Sequence, residues 1–221
     1  MSHSYLGLGI GFLAFAGCLF IPDGPPIKGS GVKITEARPI REFHELFGTG
    51  VGNYKVTSGQ PPALKISTDD NLIPYVQATL DPHGEQLHIG MKSGNYDWTI
   101  TPEFEIATKD LKSIKLQGKI ALGATQINAS KFTVHTEGQT SVVLTGTVDE
   151  LTVRMDGQSS LQAGDLKCKK VKIICNGMCT AVVHASQAIE ADANGMCTVD
   201  VLGKPGVKDF RTAGMSKINE K

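Results

Sequence analysis

The chain has 221 residues, 40% hydrophobic and 20% charged, which is enough to bury a substantial core as one domain or two small ones and excludes wholesale disorder. Lys plus Arg equal Asp plus Glu at 22 each, so no net field attracts an anionic bilayer, and nucleic acid is not an expected partner. The one basic cluster, Lys167, Lys169, Lys170 and Lys172, reads as a solvated corner.

Tyr5 to Ile21 is an almost continuous apolar run. Inside it, Phe15-Ala16-Gly17-Cys18 sets two small residues before a cysteine and resembles a bacterial lipobox, in which small residues admit the peptidase and the thiol is acylated. Residues 1–18 are then a signal segment and Cys18 the lipidation site. Phe15 replaces the usual aliphatic residue, and Met1-Ser2-His3-Ser4 lacks the usual basic residue. Two other readings stand beside this one: an uncleaved single-span anchor, for which the run barely reaches the ~17 residues needed, and a buried strand. Lipoprotein and anchor alike tie the chain to a membrane and put the remainder in the cell envelope, facing periplasm or exterior. Residues 19–31, rich in Pro and Gly and without apolar period, read as a tether, with the folded domain at 32–221.

From Val32 to about Thr108, short β-type runs alternate with turn residues: Tyr54 to Thr57, Ala63 to Ser67, Tyr75 to Leu80 and Leu87 to Met91. Asp81-Pro82-His83-Gly84 predicts a hairpin or sharp corner between the last two. No stretch sustains a helical period, so the chain reads as nearly all β.

Glycines then recur at 118, 138, 157, 177, 195 and 214. A period of this length indicates a solenoid. Four residues before each glycine stand Ile114, Val134, Val153, Ile173, Ala191 and Phe210; four after stand Leu122, Val142, Leu161, Ala181, Val199 and Ile218. Positions two away, including Leu116, Met155, Cys175, Cys179 and Cys197, share that parity, as they must if alternate side chains enter one interior. The opposite parity holds His135, Glu137, Arg154, Asp156, Asp192 and Arg211. A coil of about 19 residues is too short for a strand plus a helix but fits three short strands. The expected fold is therefore a single-stranded parallel β-helix, right-handed by the general crossover preference.

Arg41-Glu42-Phe43-His44-Glu45-Leu46, the Gly-rich strand after it, Leu87-His88-Ile89, the glycine corners and Gly203-Lys204-Pro205-Gly206 together resemble the DUF2807 group, the auto-transporter adhesin head GIN domain. The resemblance covers about residues 32 to 221. Members usually carry Gly-Ser-Gly at the corners, where this chain has Gly138-Gln139-Thr140, Gly157-Gln158-Ser159 and Gly177-Met178-Cys179. The resemblance implies a β-helical, exported domain and assigns no activity.

Residues preceding the corner glycines stack Gln117, Glu137, Asp156, Asn176 and Asn194 along one outer edge, about 4.8 Å apart per coil. Glu137 and Asp156 are thus a candidate carboxylate pair, near the ~5 Å separation of a retaining glycosidase or able to share calcium. The column decays into amides, which favours a corner ladder of Asx type. Cys175, Cys179 and Cys197 could be imagined as zinc ligands but read as packed, free thiols, whereas Cys168, among the lysines, is expected to be exposed and reactive. No nucleophile elbow, P-loop or dinucleotide fingerprint occurs in the domain, and no cofactor or metal is expected. After the glycines, Met178, Met196 and Met215 form an outward apolar stripe, the first place to seek a protein partner. The leading expectation is a non-catalytic structural or adhesin-like envelope domain that meets an envelope protein or glycan. The alternative is a degenerate glycan-active hydrolase or lyase using Glu137 and Asp156.

Overall fold

The computed structural model describes residues 24–221; the Phe15–Cys18 motif and its expected lipidation lie outside them. The protein is all-β. A single 3-10 turn, Ile73–Tyr75, is the only helical element among the described residues. The strands are β1 (Ile27–Lys28), β2 (Lys33–Arg38), β3 (Glu45–Ser58), β4 (Ala63–Asp69), β5 (Val76–Leu80), β6 (Gln86–Met91), β7 (Tyr96–Asp97), β8 (Glu103–Thr108), β9 (Ser113–Gly177), β10 (Thr180–Gly195), β11 (Thr198–Leu202), β12 (Val207–Gly214) and β13 (Lys217–Glu220). No strand set closes into a barrel.

The sheet is mixed, which corrects the expectation of a purely parallel, single-stranded arrangement. Parallel pairing joins β3 to β9, β9 to β10, and β10 to β11 and β12, but β2–β4, β4–β8 and β5–β6 are antiparallel. The reason is local. Asp81 accepts backbone N–H groups of Glu85 and Gln86 through its side chain, and Gly84 takes a positive φ, so β5 and β6 reverse as a hairpin. Residues 59–112 thus bring antiparallel pairs to one end of the parallel part, to which they attach through β6 and β8, each parallel to β3.

Within the segment expected to be a tether, residues 27–31 are attached to the domain. Ile27–Lys28 pairs with Tyr96–Asp97, and the fully buried carboxylate of Asp69 accepts the backbone N–H groups of Gly31, Thr99 and Ile100 at 2.8, 3.1 and 2.9 Å. These donors satisfy the carboxylate oxygens and make its burial tolerable.

The parallel part is built on the glycine column. Gly118, Gly138, Gly157, Gly177, Gly195 and Gly214 all have positive φ, and each lies against the glycine one step earlier in the column. Gly50 is a further member, paired in register with Gly118. The interior positions behave as their parity requires: Ile114, Val134, Val153, Ile173 and Ala191 are buried, as are Leu122, Val142, Leu161, Ala181 and Val199. Each such burial of a branched aliphatic side chain stabilises by about 1.5–3 kcal/mol.

The last rung departs from this pattern. Phe210 and Ile218 are half-buried and Thr212 is exposed. Lys208 continues the column of Val171 and Ile189, Glu220 continues that of Val183 and Val201, and the two pair at 2.5 Å across the end.

Candidate functional site

Alternation sends the residues before the corner glycines outward, and rung stacking brings them into one ladder. Gln117 donates to Glu137 at 2.8 Å, Asn176 donates to Asp156 at 2.8 Å, and Asn194 donates to Asp192 at 2.8 Å. Arg154 donates to Asp156 from its own strand at 2.8 Å. The structure does bring Glu137 and Asp156 to a common neighbour: His135 Nε2 lies 3.3 Å from a Glu137 oxygen and 3.5 Å from an Asp156 oxygen, within ion-pair distance but out of hydrogen-bond alignment. Sequence reading placed His135 outward yet missed this role, because the contact depends on stacking of separate rungs.

Burial of Asp156 works to raise its pKa, but hydrogen bonds from Asn176 and Arg154 outweigh it and hold the carboxyl below its ordinary value. A general acid in glycoside cleavage needs the opposite shift. The shift therefore disfavours Asp156 as the acid of such a pair and keeps it a charged, hydrogen-bonded member of the ladder.

The column after the glycines is different. Gln139 donates to Gln158 at 3.1 Å, and beyond them Met178, Met196 and Met215 are 44%, 49% and 73% exposed. Because Gly50 joins the glycine column, Val51, also exposed, begins this strip. Beside its polar half runs an open trough of about 500 Å³ lined by Val51, Asn53, Thr101, Lys119, Gln139 and Gln158. The strip therefore offers amide donors and acceptors at one end and soft apolar side chains at the other. That combination suits contact with a surface rather than chemistry on a bond.

Cys175, Cys179 and Cys197 are buried free thiols. Burial pushes the Cys175 thiol up and the Cys179 thiol up to about 11, Cys197 adding to the latter. Among the described residues, no group of three or more His, Cys, Asp or Glu side chains is arranged to hold a metal ion. Cys168 corrects an expectation. It is 2% exposed, pairs in register with Ala185, and burial pushes its pKa up to about 12. Its lysine neighbours point outward: Lys169 meets Asp149 at 2.7 Å, and further along Lys172 meets Glu190 at 2.9 Å. Such exposed pairs are worth roughly 0–1 kcal/mol, consistent with a solvated corner.

A family model described as "Putative auto-transporter adhesin, head GIN domain" (DUF2807) matches residues 42–205. Among solved structures, a putative adhesin from Bacteroides fragilis superposes with a TM-score of 0.71 at 19% identity, covering 88% of this chain and all of the other. A putative adhesin from Parabacteroides merdae follows the same fold with a TM-score of 0.56 at 18% identity, over 90% of this chain and all of the other. A protein from Parabacteroides distasonis described as a putative lipid binding protein gives 0.52 at 18% identity, over 89% and 100%. At these identities the likeness is one of fold. Comparison with curated proteins finds no match.

Proposed function

We propose, from the premise that this chain belongs to the DUF2807 family, that it is a non-catalytic, adhesin-like domain of the cell envelope, held by lipid at Cys18 and facing periplasm or exterior. In this reading residues 1–18 are the signal, a short tether follows, and the rungs of β9 to β13 wind as a right-handed parallel β-helix that serves as a rigid display scaffold. The contact surface is the strip from Val51 through Gln139 and Gln158 to Met178, Met196 and Met215, and the partner is an envelope protein or glycan.

One observation carries the proposal. The acids, amides and guanidinium of the outer ladder are engaged with each other, Asp156 with Asn176 and Arg154 above all, whereas the strip beside it exposes Val51, Met178, Met196 and Met215 next to an open trough. No feature of Glu137 and Asp156 favours the glycan-cleaving alternative over this one.

The test is a screen of the full chain against envelope and host glycans and an envelope protein fraction, scored for both retention and cleavage. Retention without turnover, weakened by Gln158→Ala or Met196→Ser and unaffected by Glu137→Gln, is the expected result. Cleavage that disappears in Glu137→Gln would overturn it. Anchoring is checked separately: palmitate labelling and loss of about 17 residues are expected in a bacterium with lipoprotein processing, and Cys18→Ser should abolish both. An unchanged mass without label would point to the uncleaved anchor.

A further inference from the structure

Apart from Tyr5 and the buried Tyr54, the Tyr and Trp side chains of the chain are Tyr75, Tyr96 and Trp98, and they meet at one place, where Trp98 also packs against the core. Tyr75 and Tyr96 lie with ring centroids 5.4 Å apart, Tyr96 and Trp98 6.0 Å apart, all half-buried. Tyr96 pairs in register with Ile27, and Gly31, beside exposed Val32, lies against Thr99. The trio therefore sits where the chain enters the domain, framed by the exposed side chains of Ile27 and Val32. A cluster of half-buried Tyr and Trp rings beside exposed aliphatics is the composition found at a membrane–water boundary, where the ring body meets hydrocarbon and the polar tip stays wet.

We propose that this end of the domain rests on the surface of a phospholipid bilayer, with Tyr75, Tyr96 and Trp98 at headgroup level. The inference rests on the reading that the Tyr5–Ile21 segment or a lipid on Cys18 holds the chain in a membrane. Chain length then fixes the geometry. Nine residues lead from Cys18 to Ile27, a span of at most roughly 30 Å fully extended. Ile27 is pinned by β7 and the following residues by Asp69, so no slack is available beyond those nine. The tether enters the domain at this end, which a bilayer therefore meets first.

The local charges favour a neutral surface. The charged residues in and beside these segments, Lys28, Asp70, Lys92 and Asp97, sum to zero, so the contact draws on ring and aliphatic burial and should be indifferent to anionic lipid and to salt.

Trp98 is the only tryptophan in the chain and reports on this contact directly. The processed full chain is reconstituted into phosphatidylcholine vesicles with and without bromine near the headgroup end of the acyl chains. Flotation with the vesicles, quenching of Trp98 by bromine, and loss of iodide quenching relative to the Cys18→Ser protein in solution are expected, unchanged at high salt. Tyr75→Ser should keep flotation but restore iodide access. Ile27→Asp, at an exposed site that leaves the rings intact, should do the same if Tyr75→Ser folds poorly. Flotation with Trp98 as open to iodide as in solution would overturn the docking and leave anchoring standing. Failure to float would overturn both.

Discussion

Replacing Gly157 by alanine separates two reasons for glycine at the corners. A Cβ there would lie 2.7 Å from the carbonyl oxygen and 3.1 Å from the nitrogen of Gly138, and the residue holds φ at +93°. Holding a non-glycine residue in this region costs about 1–3 kcal/mol, and forcing apart two packed backbones costs about 1–3 kcal/mol more, for a total of about 2–6 kcal/mol. Gly50 is the internal control. It has φ of +92° in the same column, but a Cβ there meets nothing within 4 Å because no glycine lies beneath it. Gly50→Ala should therefore show the conformational part alone, about 1–3 kcal/mol. Urea unfolding followed by far-UV circular dichroism measures both midpoints, with a common slope as the check that both variants unfold in the same way. If Gly157→Ala is no more destabilised than Gly50→Ala, close approach of neighbouring rungs is not what requires glycine, and the account of the column is wrong.

Three further outcomes are expected. Tyr54 Oη is buried without a hydrogen-bond partner, so Tyr54→Phe should leave stability unchanged or raise it by about 1–3 kcal/mol; a clear loss in thermal or urea unfolding would reveal a partner for the hydroxyl. Maleimide should modify none of Cys168, Cys175, Cys179 and Cys197 in the native protein and all four in denaturant, and rapid labelling of Cys168 would show that its wall opens readily. The lowered pKa of Asp156 contributes stability that is present above the ordinary carboxylate range and is lost as pH falls through the depressed value. Asp156→Asn should consequently lose stability at neutral pH and flatten the acid side of the stability profile, and an unchanged acid limb would remove Asp156 from the ladder's support.

The interior of the parallel part was legible because parity and a regular glycine interval are both local signals. Ile173 and Val153 needed no knowledge of their partners to be assigned inward. Gly50 escaped because residues 59–112 separate it from Gly118, so the period is broken although the register is kept. The antiparallel pairing was only half visible. The Asp81–Gly84 turn announced a hairpin, but nothing in β2 or β4 states that they pair with each other and with β8. Cys168 was misjudged for an instructive reason. The alternation Leu166-Lys167-Cys168-Lys169 directs the thiol inward, and the charge of its lysine neighbours says nothing about the face on which Cys168 lies. Asp69 and His135 lay beyond sequence reasoning, since the donors and acceptors that define them come from segments far apart in the chain.

The pairing of Lys208 with Glu220 determines what this fold can become. Stacked rungs expose the same backbone edge at every step, so a terminal rung is a template on which another copy could continue growing, as in a fibre. Here the columns of Ile189 and Val201 end in an ammonium and a carboxylate, while those of Ala191 and Val199 end in Phe210 and Ile218, so a copy laid on top would meet apolar side chains but would have to desolvate or part the charged pair. That pair opposes continued stacking at this rung. The last described rung thus carries two opposite charges where the rungs before it carry aliphatic side chains.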